Sequence, residues 1–299
     1  MAKTIHLVFN PVAGQGNPEA QLQQLRTCLG EASCLTVHQT SEEIDAKQLA
    51  AKALEAGADV VVAAGGDGTV SAAAAALIHT DIPLGIVPLG TANSFAGAQN
   101  IPGDIAAACD VILQGQPHRF DTSRCGDRIL LLNVCIGFEA DLLTQISRQD
   151  KSRYGRLALV ASGLRQWQRL KRFNAEIQLP QETHSTRATA ITVANAASAQ
   201  SMLAQGPAVV KADDQLLAIT VASPDHRWGA IATAIDLFIS ALQNRAVQRD
   251  SVQYWKAERV TVTTDPPQRV LIDGEPNGRT PITVECLPQS LMVMVPPQR

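Results

Sequence analysis

A pattern repeated through the first 120 residues constrains the fold more than any other feature of the sequence. Short apolar runs end in turns that contain glycine, and each turn leads into a segment with helical spacing. The runs predicted as strands are Thr4–Phe9, Cys34–Thr40, Ala58–Ala64 and Pro83–Val87. One predicted helix follows the glycine-containing loop at Asn10–Gly14. The other predicted helices cover Glu42–Gly57, Val70–His79 and a short stretch near Ser94. Because continuous apolar strands separated by helices form a parallel sheet covered on both faces, we predict an α/β domain.

The texture of the sequence changes after about Arg124. Short β-rich runs such as RVTVTTDPP, PITVECLP and LMVMVPP are separated by Pro, Gly and Asp. Only two segments of this half have helical spacing, Tyr154–Arg172 and Gly229–Ala246. This arrangement is typical of an antiparallel sandwich or barrel. We therefore predict an N-terminal α/β domain with a parallel sheet over residues 1–124, and a C-terminal, mainly β domain, an antiparallel β-sandwich, over residues 125–287.

Composition argues against several classes of protein. The 299 residues are 45% hydrophobic and 18% charged, which is typical of a globular chain, and a net charge of −3 argues against a nucleic-acid binder held by bulk electrostatics. No apolar run approaches the roughly 18 residues of a membrane-spanning helix, and the apolar stretch at the amino terminus is too short for a signal peptide. The six cysteines include no CxxC pair, as expected for reduced thiols. We expect a cytoplasmic protein.

Three strand-to-helix turns carry unusual chemistry: Asn10–Gly14, Gly65–Thr69 and Leu89–Asn93, called the first, second and third corners below. Each combines glycine, which lets backbone amides approach a ligand closely, with a hydroxyl or amide side chain. Each precedes a helix whose amino end attracts anions. At the carboxyl edge of a parallel sheet, such corners indicate a nucleoside triphosphate site. The alternative is that these turns bind nothing, because glycine-rich strand-to-helix turns are common. Neither a GxxxxGKS/T motif nor a GxGxxG motif followed by an acid is present, which argues against a P-loop enzyme and a dinucleotide-binding dehydrogenase.

The sequences NPVAG, GGDGT and PLGTAN, in this order and at these spacings, resemble the diacylglycerol kinase catalytic domain of bacterial lipid kinases. The likeness continues through Thr40, Asp121, the NVCIGFEADL stretch and Ile272–Pro276 (IDGEP), so it covers nearly the whole chain. The resemblance implies that the N-terminal α/β domain binds ATP and that the C-terminal β domain forms the lipid side. It also implies that the last strands, near residues 288–299, return to the first domain.

The same resemblance assigns roles to individual residues. Those that match the family's ATP contacts are Asn10, Pro11, Gly14, Thr40, Gly65, Gly66, Asp67, Gly68, Thr69, Gly90, Thr91 and Asn93. Asp67 is expected to serve the Mg²⁺–phosphate region, with Asp121 as a second acid beside it. A turn aspartate at the end of a strand is the alternative for Asp121. ATP and Mg²⁺ are the implied cofactors, since phosphoryl transfer needs phosphate ligands, charge neutralisation and a base.

The IDGEP stretch has chemistry of its own. It is predicted to place two acids, Asp273 and Glu275, on one side of a local strand. A DG hairpin turn is the alternative. By its resemblance to the family motif, Asp273 is expected to be the catalytic base that takes the proton of a lipid hydroxyl, with Glu275 supporting or sharing that task.

A further stretch, Val210–Ile219 (VKADDQLLAI), resembles the family's structural Mg²⁺ loop. Residue matching gives the Asp214 side chain and the Lys211 and Leu216 carbonyls as ligands, in keeping with the preference of this ion for oxygen. The glycine that usually follows the acid is Gln215 here. A polar β-turn without metal is the alternative.

Two other departures from the family pattern lie close to the corners. Ser71-Ala72 stands where the family usually has an Asn-Glu pair, and Ser94 stands where it often has an acid. We predict an ATP- and Mg²⁺-dependent lipid kinase that acts on diacylglycerol or a related lipid. The alternatives are a kinase of a soluble alcohol or of NAD, and a nucleotide- or lipid-binding regulator whose catalytic site has decayed.

The expected partners are ATP and a lipid at a membrane surface, without nucleic acid, and a homodimer is left open. Tyr154–Arg172 is predicted to be an amphipathic helix with a basic stripe. That stripe could rest on an anionic bilayer, which would place the protein at the inner face of the membrane. The alternative is that its apolar stripe packs on the protein's own core.

Overall fold

The computed structural model describes residues 3–14, 16–138, 140–141, 171–196, 210–223 and 251–297. The chain divides into two compact units, Met1–Thr122 with Pro288–Arg299, and Ser123–Leu287. The helices predicted at 154–172 and 229–246 fall outside the described residues, apart from positions 171 and 172. Among the residues that are described, no helix has the length and apolar character needed to cross a bilayer.

The first unit is built around a parallel sheet. Its elements are β1 Lys3–Phe9, α1 Pro18–Gly30, β2 Ser33–Gln39, α2 Ala46–Glu55, β3 Val60–Gly65, α3 Asp67–Leu77, β4 Leu84–Pro88, α4 Ser94–Ala98 and α5 Ile105–Gln114. The strands pair in the order β2-β1-β3-β4, all parallel. Every residue of β3 and β4 is buried, because helices cover both faces. This sheet confirms the predicted α/β class.

Local capping explains where the structure departs from the predicted helix bounds. Helix α2 begins at Ala46 rather than Glu42, because the Asp45 side chain accepts the Gln48 N–H and the Gln48 side chain accepts the Asp45 N–H. Helix α3 begins at Asp67, three residues before the predicted start at Val70. Helix α5 was not predicted; Asp104 caps it by accepting the Ala107 N–H.

The second unit is an antiparallel β-sandwich. The remaining strands within the described residues are β5 Gln116–Cys125, β6 Arg128–Leu130, β7 Asn133–Gly137, β8 Phe173–Gln178, β9 Thr183–Ala188, β10 Ala190–Ala194, β11 Leu217–Ala222, β12 Val252–Ala257, β13 Arg259–Asp265, β14 Arg269–Ile272, β15 Glu275–Arg279 and β16 Ile282–Val295. One six-stranded sheet has the order β12-β11-β10-β7-β14-β15. In the other, β13 pairs with β8 and with the start of β16, and β8 pairs with β9.

Alternating burial explains why these strands form a sandwich. In β8 every second residue is buried, so one face of the strand meets the core and the other meets solvent. Ile136 and Ile191 of the six-stranded sheet share a buried apolar cluster with Ile177 and Val262 of the other sheet. The predicted antiparallel C-terminal domain is therefore confirmed.

The last strand differs from its prediction. The runs PITVECLP and LMVMVPP were expected as separate strands, but β16 is continuous over Ile282–Val295. Its residues Ile282–Glu285 pair with β13, and Val293 pairs in parallel with Leu84 of β4. Pro288–Arg299 belong to the first unit, whose sheet they extend.

Two histidines form a pair on neighbouring strands of the first unit. His6 Nδ1 lies 3.0 Å from His38 Nε2, and the stacked rings have centroids 5.2 Å apart. Burial lowers the pKa of His6. Burial also lowers the pKa of His38, and the charges of His6 and Lys52 lower it further. The pair is therefore stable in its neutral form, in which one ring nitrogen can donate to the other.

We expect the free energy of unfolding to fall as pH drops from about 7 to 5, because both histidine pKa values lie below the unfolded value of about 6.5. The unfolded chain then binds protons first, so the stabilisation present above pH 6.5 is lost towards acid. Urea unfolding at several pH values measures this. His38→Gln keeps a hydrogen-bonding side chain without the titration and should reduce the pH dependence, whereas His79→Asn, at an exposed position, should not. Equal pH dependence in wild type and His38→Gln would contradict the expectation.

Candidate active site

Side-chain hydrogen bonds join the three corners of the first unit. The Asn10 side-chain amide of the first corner donates to the Thr69 hydroxyl of the second corner over 2.9 Å. The Asp67 carboxylate of the second corner accepts the N–H of Phe95, just after the third corner, over 3.2 Å. The corners therefore form one connected surface at the carboxyl ends of β1, β3 and β4.

Glycine allows the backbones of the corners to touch. A Cβ on Gly90 would lie 2.5 Å from the Gly66 Cα, and a Cβ on Gly14 would lie 2.0 Å from the Leu89 carbonyl oxygen. Real side chains do not occupy such positions, so these glycines pack the corners against each other. Gly14 also has a left-handed φ of 71°, which glycine adopts without strain.

The helix amino ends behind the corners are not equivalent. The Asn17 side chain caps α1 by accepting the N–H groups of Glu19 and Ala20. The first amides of α4 are turned to the Asp67 carboxylate. Helix α3 starts after Gly66, which supplies no side-chain cap. Helix α3 thus has no capping side chain at its N-cap position, and among its first N–H groups that of Asp67 donates to the Asp67 carboxylate itself.

Asp67 lies in the first turn of α3 and is partly buried. Burial raises the pKa of its carboxyl group, while hydrogen bonds from the backbone N–H groups of Phe95, Ser94, Asn93 and Asp67 itself lower it. These amides fix the orientation of the carboxylate.

The predicted ATP contacts Thr40, Thr91 and Asn93 differ in their surroundings. The Thr40 N–H donates to the Phe9 carbonyl over 3.0 Å, next to a groove of about 690 Å³ whose lining includes Pro11 and Gln39. Thr91 is exposed. The Asn93 side chain instead builds its own turn, because its oxygen accepts the Gly90 N–H and its amide donates to the Gly90 carbonyl.

Asp121 lies on β5 and is only 1% exposed. Its Oδ1 accepts the N–H of Gln289, a residue of β16 with a left-handed φ of 47°. This contact indicates that Asp121 holds an irregular point of β16. Its expected place beside Asp67 stays a prediction.

The IDGEP stretch of the second unit is a β-hairpin, which corrects one expectation. Ile272 of β14 pairs with Glu275 of β15, and Asp273 and Gly274 form the turn with φ of 48° and 83°. Positive φ at both central residues is what a type I′ turn requires. The two acids therefore do not lie on one side of a single strand: Asp273 is in the turn, and Glu275 opens the next strand.

The hairpin turn holds the Asp273 carboxylate in a fixed position. Its Oδ2 accepts the Leu131 N–H over 2.9 Å, and its Oδ1 accepts the N–H groups of Leu132 and Asn133 over 2.9 and 3.1 Å. Asn195 supports the same segment by donating from its side chain to the Leu131 carbonyl. We did not single out Asn195 from the sequence, although a polar residue within the apolar run AITVANAA was a usable signal.

The turn expected to hold structural Mg²⁺ is occupied by its own hydrogen bonds. The Asp214 Oδ1 accepts the Leu216 N–H over 3.2 Å, and its Oδ2 lies 2.5 Å from the Lys256 ammonium. Hydrogen bonding to Asp214 raises the pKa of Lys256. Within the described ranges, no group of three or more His, Cys, Asp or Glu side chains is arranged to hold a metal ion.

Two domain families match this chain. The family described as "Diacylglycerol kinase catalytic domain" matches residues 4–125. The family described as "YegS C-terminal NAD kinase beta sandwich-like domain" matches residues 133–295. The matched ranges fall on the α/β part and on the antiparallel part of the chain.

Individual proteins resemble the chain over almost its full length. The protein sll0036 of Synechocystis sp. is 41% identical, over 98% of this chain and 70% of its own length. The "Probable lipid kinase YegS-like" of Stenotrophomonas maltophilia is 30% identical, over 89% of this chain and 88% of its own. A solved structure from Bacillus anthracis str. Sterne has a TM-score of 0.82 at 24% identity and covers 98% of this chain and 97% of that one, which shows a shared fold.

Gly90→Ala tests the close packing of the corners. Its Cβ would lie 2.5 Å from the Gly66 Cα, so we expect the free energy of unfolding to fall by about 1–3 kcal/mol, as in other overpacked sites. Chemical denaturation measures the change. Gly97→Ala is the matched control, because a Cβ there meets no atom within 4 Å. Unfolding midpoints that are equal for the two variants would contradict the packing seen here.

Proposed function

Since the chain belongs to the diacylglycerol kinase-like family of lipid kinases, as its motifs predicted, we propose that it transfers the γ-phosphoryl group of MgATP to a hydroxyl group of a lipid such as diacylglycerol. Membership in the family makes it a phosphotransferase with an alcohol acceptor. The use of ATP, the use of Mg²⁺ and the identity of the lipid are our proposal and go beyond what family membership gives.

One observation carries the proposal: α3 begins after Gly66, which has no side chain to cap the helix, at the place where the three corners meet. Exposed N–H groups at a helix amino end bind phosphate, because their dipoles point at the ligand. A Cβ on Gly68 would meet no atom within 4 Å, so there is open space beside this residue. We assign the polyphosphate of ATP to Gly66–Thr69.

The surroundings of this helix end fit the remainder of MgATP. Asp67 would contact the Mg²⁺ that arrives with the nucleotide as part of the substrate, since carboxylate oxygen is a ligand that this ion prefers. The groove beside Pro11, about 690 Å³ in volume, is large enough for the nucleoside. Thr40 follows Gln39 of the groove lining, in keeping with its predicted contact to ATP.

Asp273 is the proposed base. Its carboxylate would accept the proton of the lipid hydroxyl while the hydroxyl oxygen bonds to the γ-phosphorus and the bond to the bridging β–γ oxygen breaks, releasing ADP. The amides of Leu131–Asn133 hold this carboxylate in place without large side-chain motion. Glu275 is exposed and stays a second acid for the same step. A lipid acceptor implies work at a membrane surface, on the cytoplasmic side where ATP is supplied.

The proposal is tested with γ-labelled ATP, Mg²⁺, and a panel of lipids in mixed micelles, together with NAD and soluble alcohols. We expect label in diacylglycerol or a related lipid. Gly68→Ala should cut this transfer by roughly 10- to 100-fold, because its Cβ disturbs the placement of the phosphates. Gly103→Ala introduces the same methyl group where it also meets no atom within 4 Å, and should not reduce transfer. Label only in NAD or a soluble alcohol, or in no acceptor, would refute the lipid kinase assignment.

Asp273→Asn tests the base. We expect kcat to fall by about 100-fold or more, the usual contribution of a general base, with nucleotide affinity retained. Because the amide group of Asn also donates, this variant disturbs the contacts with Leu131–Asn133, so its thermal unfolding is measured alongside kcat. Glu275→Gln changes an exposed side chain and shows separately whether that acid participates. Near-normal kcat in a folded Asp273→Asn protein would remove Asp273 as the base.

A further inference from the structure

An ion pair in the second unit occupies the turn that resembles a metal loop. The Asp214 carboxylate lies 2.5 Å from the Lys256 ammonium, and both side chains are largely shielded, with 23% and 33% of their surface exposed. Asp214 precedes β11, whereas Lys256 lies on β12, so the contact ties the turn to a neighbouring strand.

The pairing of β11 with β12 places Lys256 beside Asp214. In the register of β11 and β12, Ala218 lies opposite Lys256 and Thr220 lies opposite Tyr254. Tyr254 and Lys256 are two residues apart on a strand, so they share a face of the sheet. On that face Tyr254 packs against a small buried cluster that contains Ala194, Val210 and Ala218. The ion pair therefore lies beside apolar side chains, which reduce its screening by water.

With Lys256 in place, the oxygen atoms of this turn do not fit a resident divalent ion. Mg²⁺ requires about six oxygen ligands near 2.1 Å in octahedral geometry. The Asp214 Oδ1 already accepts the Leu216 N–H, and its Oδ2 contacts the ammonium group, which lies in the direction that a cation bound to this oxygen would take. A divalent ion placed beside the fixed positive charge of Lys256 would also be repelled.

The backbone of this turn keeps the shape of the metal loop that it resembles, although the cation at Asp214 is an ammonium group. Gln215, which stands where the family usually has glycine, has a left-handed φ of 63°. This conformation is one that glycine adopts without strain and that other residues adopt at a cost of roughly 1–2 kcal/mol. The backbone path thus still curves around Asp214.

We propose that the ammonium group of Lys256 takes the place of a divalent cation at this turn, so that the second unit folds and remains stable without a resident metal ion. The inference concerns folding and does not rest on the proposed function. The Mg²⁺ that accompanies ATP is a substrate component assigned to the other unit, and nucleotide-free protein keeps the two questions separate.

Thermal unfolding of nucleotide-free protein tests this, in EDTA and in 10 mM MgCl₂ at matched ionic strength. We expect the wild-type Tm to differ by less than about 1 °C between the two conditions. Lys256→Met leaves Asp214 without its cation, so we expect a lower Tm in EDTA and a rise of roughly 3–8 °C when Mg²⁺ is added. Lys256→Arg keeps the charge and should behave as wild type.

Two controls attribute the response to this turn. Lys171→Met removes an exposed lysine of the same unit and should create no response to Mg²⁺. Asp214→Asn combined with Lys256→Met should abolish the response of the single variant. If Lys256→Met fails to fold, the metal content of nucleotide-free wild-type protein decides: less than about 0.1 Mg²⁺ per chain supports the proposal. Two results would overturn it. One is a content of about one Mg²⁺ per chain that is lost in Asp214→Asn. The other is a wild-type Tm that EDTA lowers by several degrees, while the Tm of Asp214→Asn does not respond to EDTA.

Discussion

The contact between glycine backbones is the constraint on which the candidate active site depends. Gly90 lies against Gly66 and Gly14 lies against Leu89, at distances that leave no room for a Cβ. With the backbones this close, short side chains can link the corners, as Asn10 and Asp67 do. These links satisfy the amides of α4, while Asn17 satisfies those of α1. The three corners, which the sequence presents as similar glycine-rich turns, therefore differ in how their helix amino ends are capped.

The acids of the family motifs accept hydrogen bonds from the protein's own backbone. Asp67 accepts amides at the start of α4, and Asp273 accepts the amides of Leu131–Asn133. Asp121 likewise accepts the N–H of Gln289. Hydrogen bonds of this kind fix a carboxylate before a substrate arrives, so less reorganisation is needed during reaction. They also mean that removing such an acid perturbs local structure and chemistry together.

Periodicity and turn chemistry were enough to predict the α/β unit, its parallel sheet and the antiparallel unit that follows, because each depends on neighbours in sequence. The three corners could be located for the same reason. Contacts between distant segments could not be predicted: Lys256 meets Asp214 only because β11 and β12 pair, and Asp273 meets Leu131 only because β14 and β7 pair. The prediction that IDGEP forms a single local strand was also wrong, because positive φ at Asp273 and Gly274 makes this stretch a hairpin turn.

Because of strand β16, the sheet of the first unit is completed by residues that are synthesised after the second unit. Pro288–Arg299 belong to the first unit, where Val293 pairs with Leu84 of β4, although the other strands of that parallel sheet lie within the first 88 residues. While a ribosome is still translating the β unit, the edge of β4 has no partner from β16, and an unpaired edge can recruit other strands. The amino-terminal unit, first to emerge, is the last to be completed. A fragment cut after Thr122 would carry that open edge permanently.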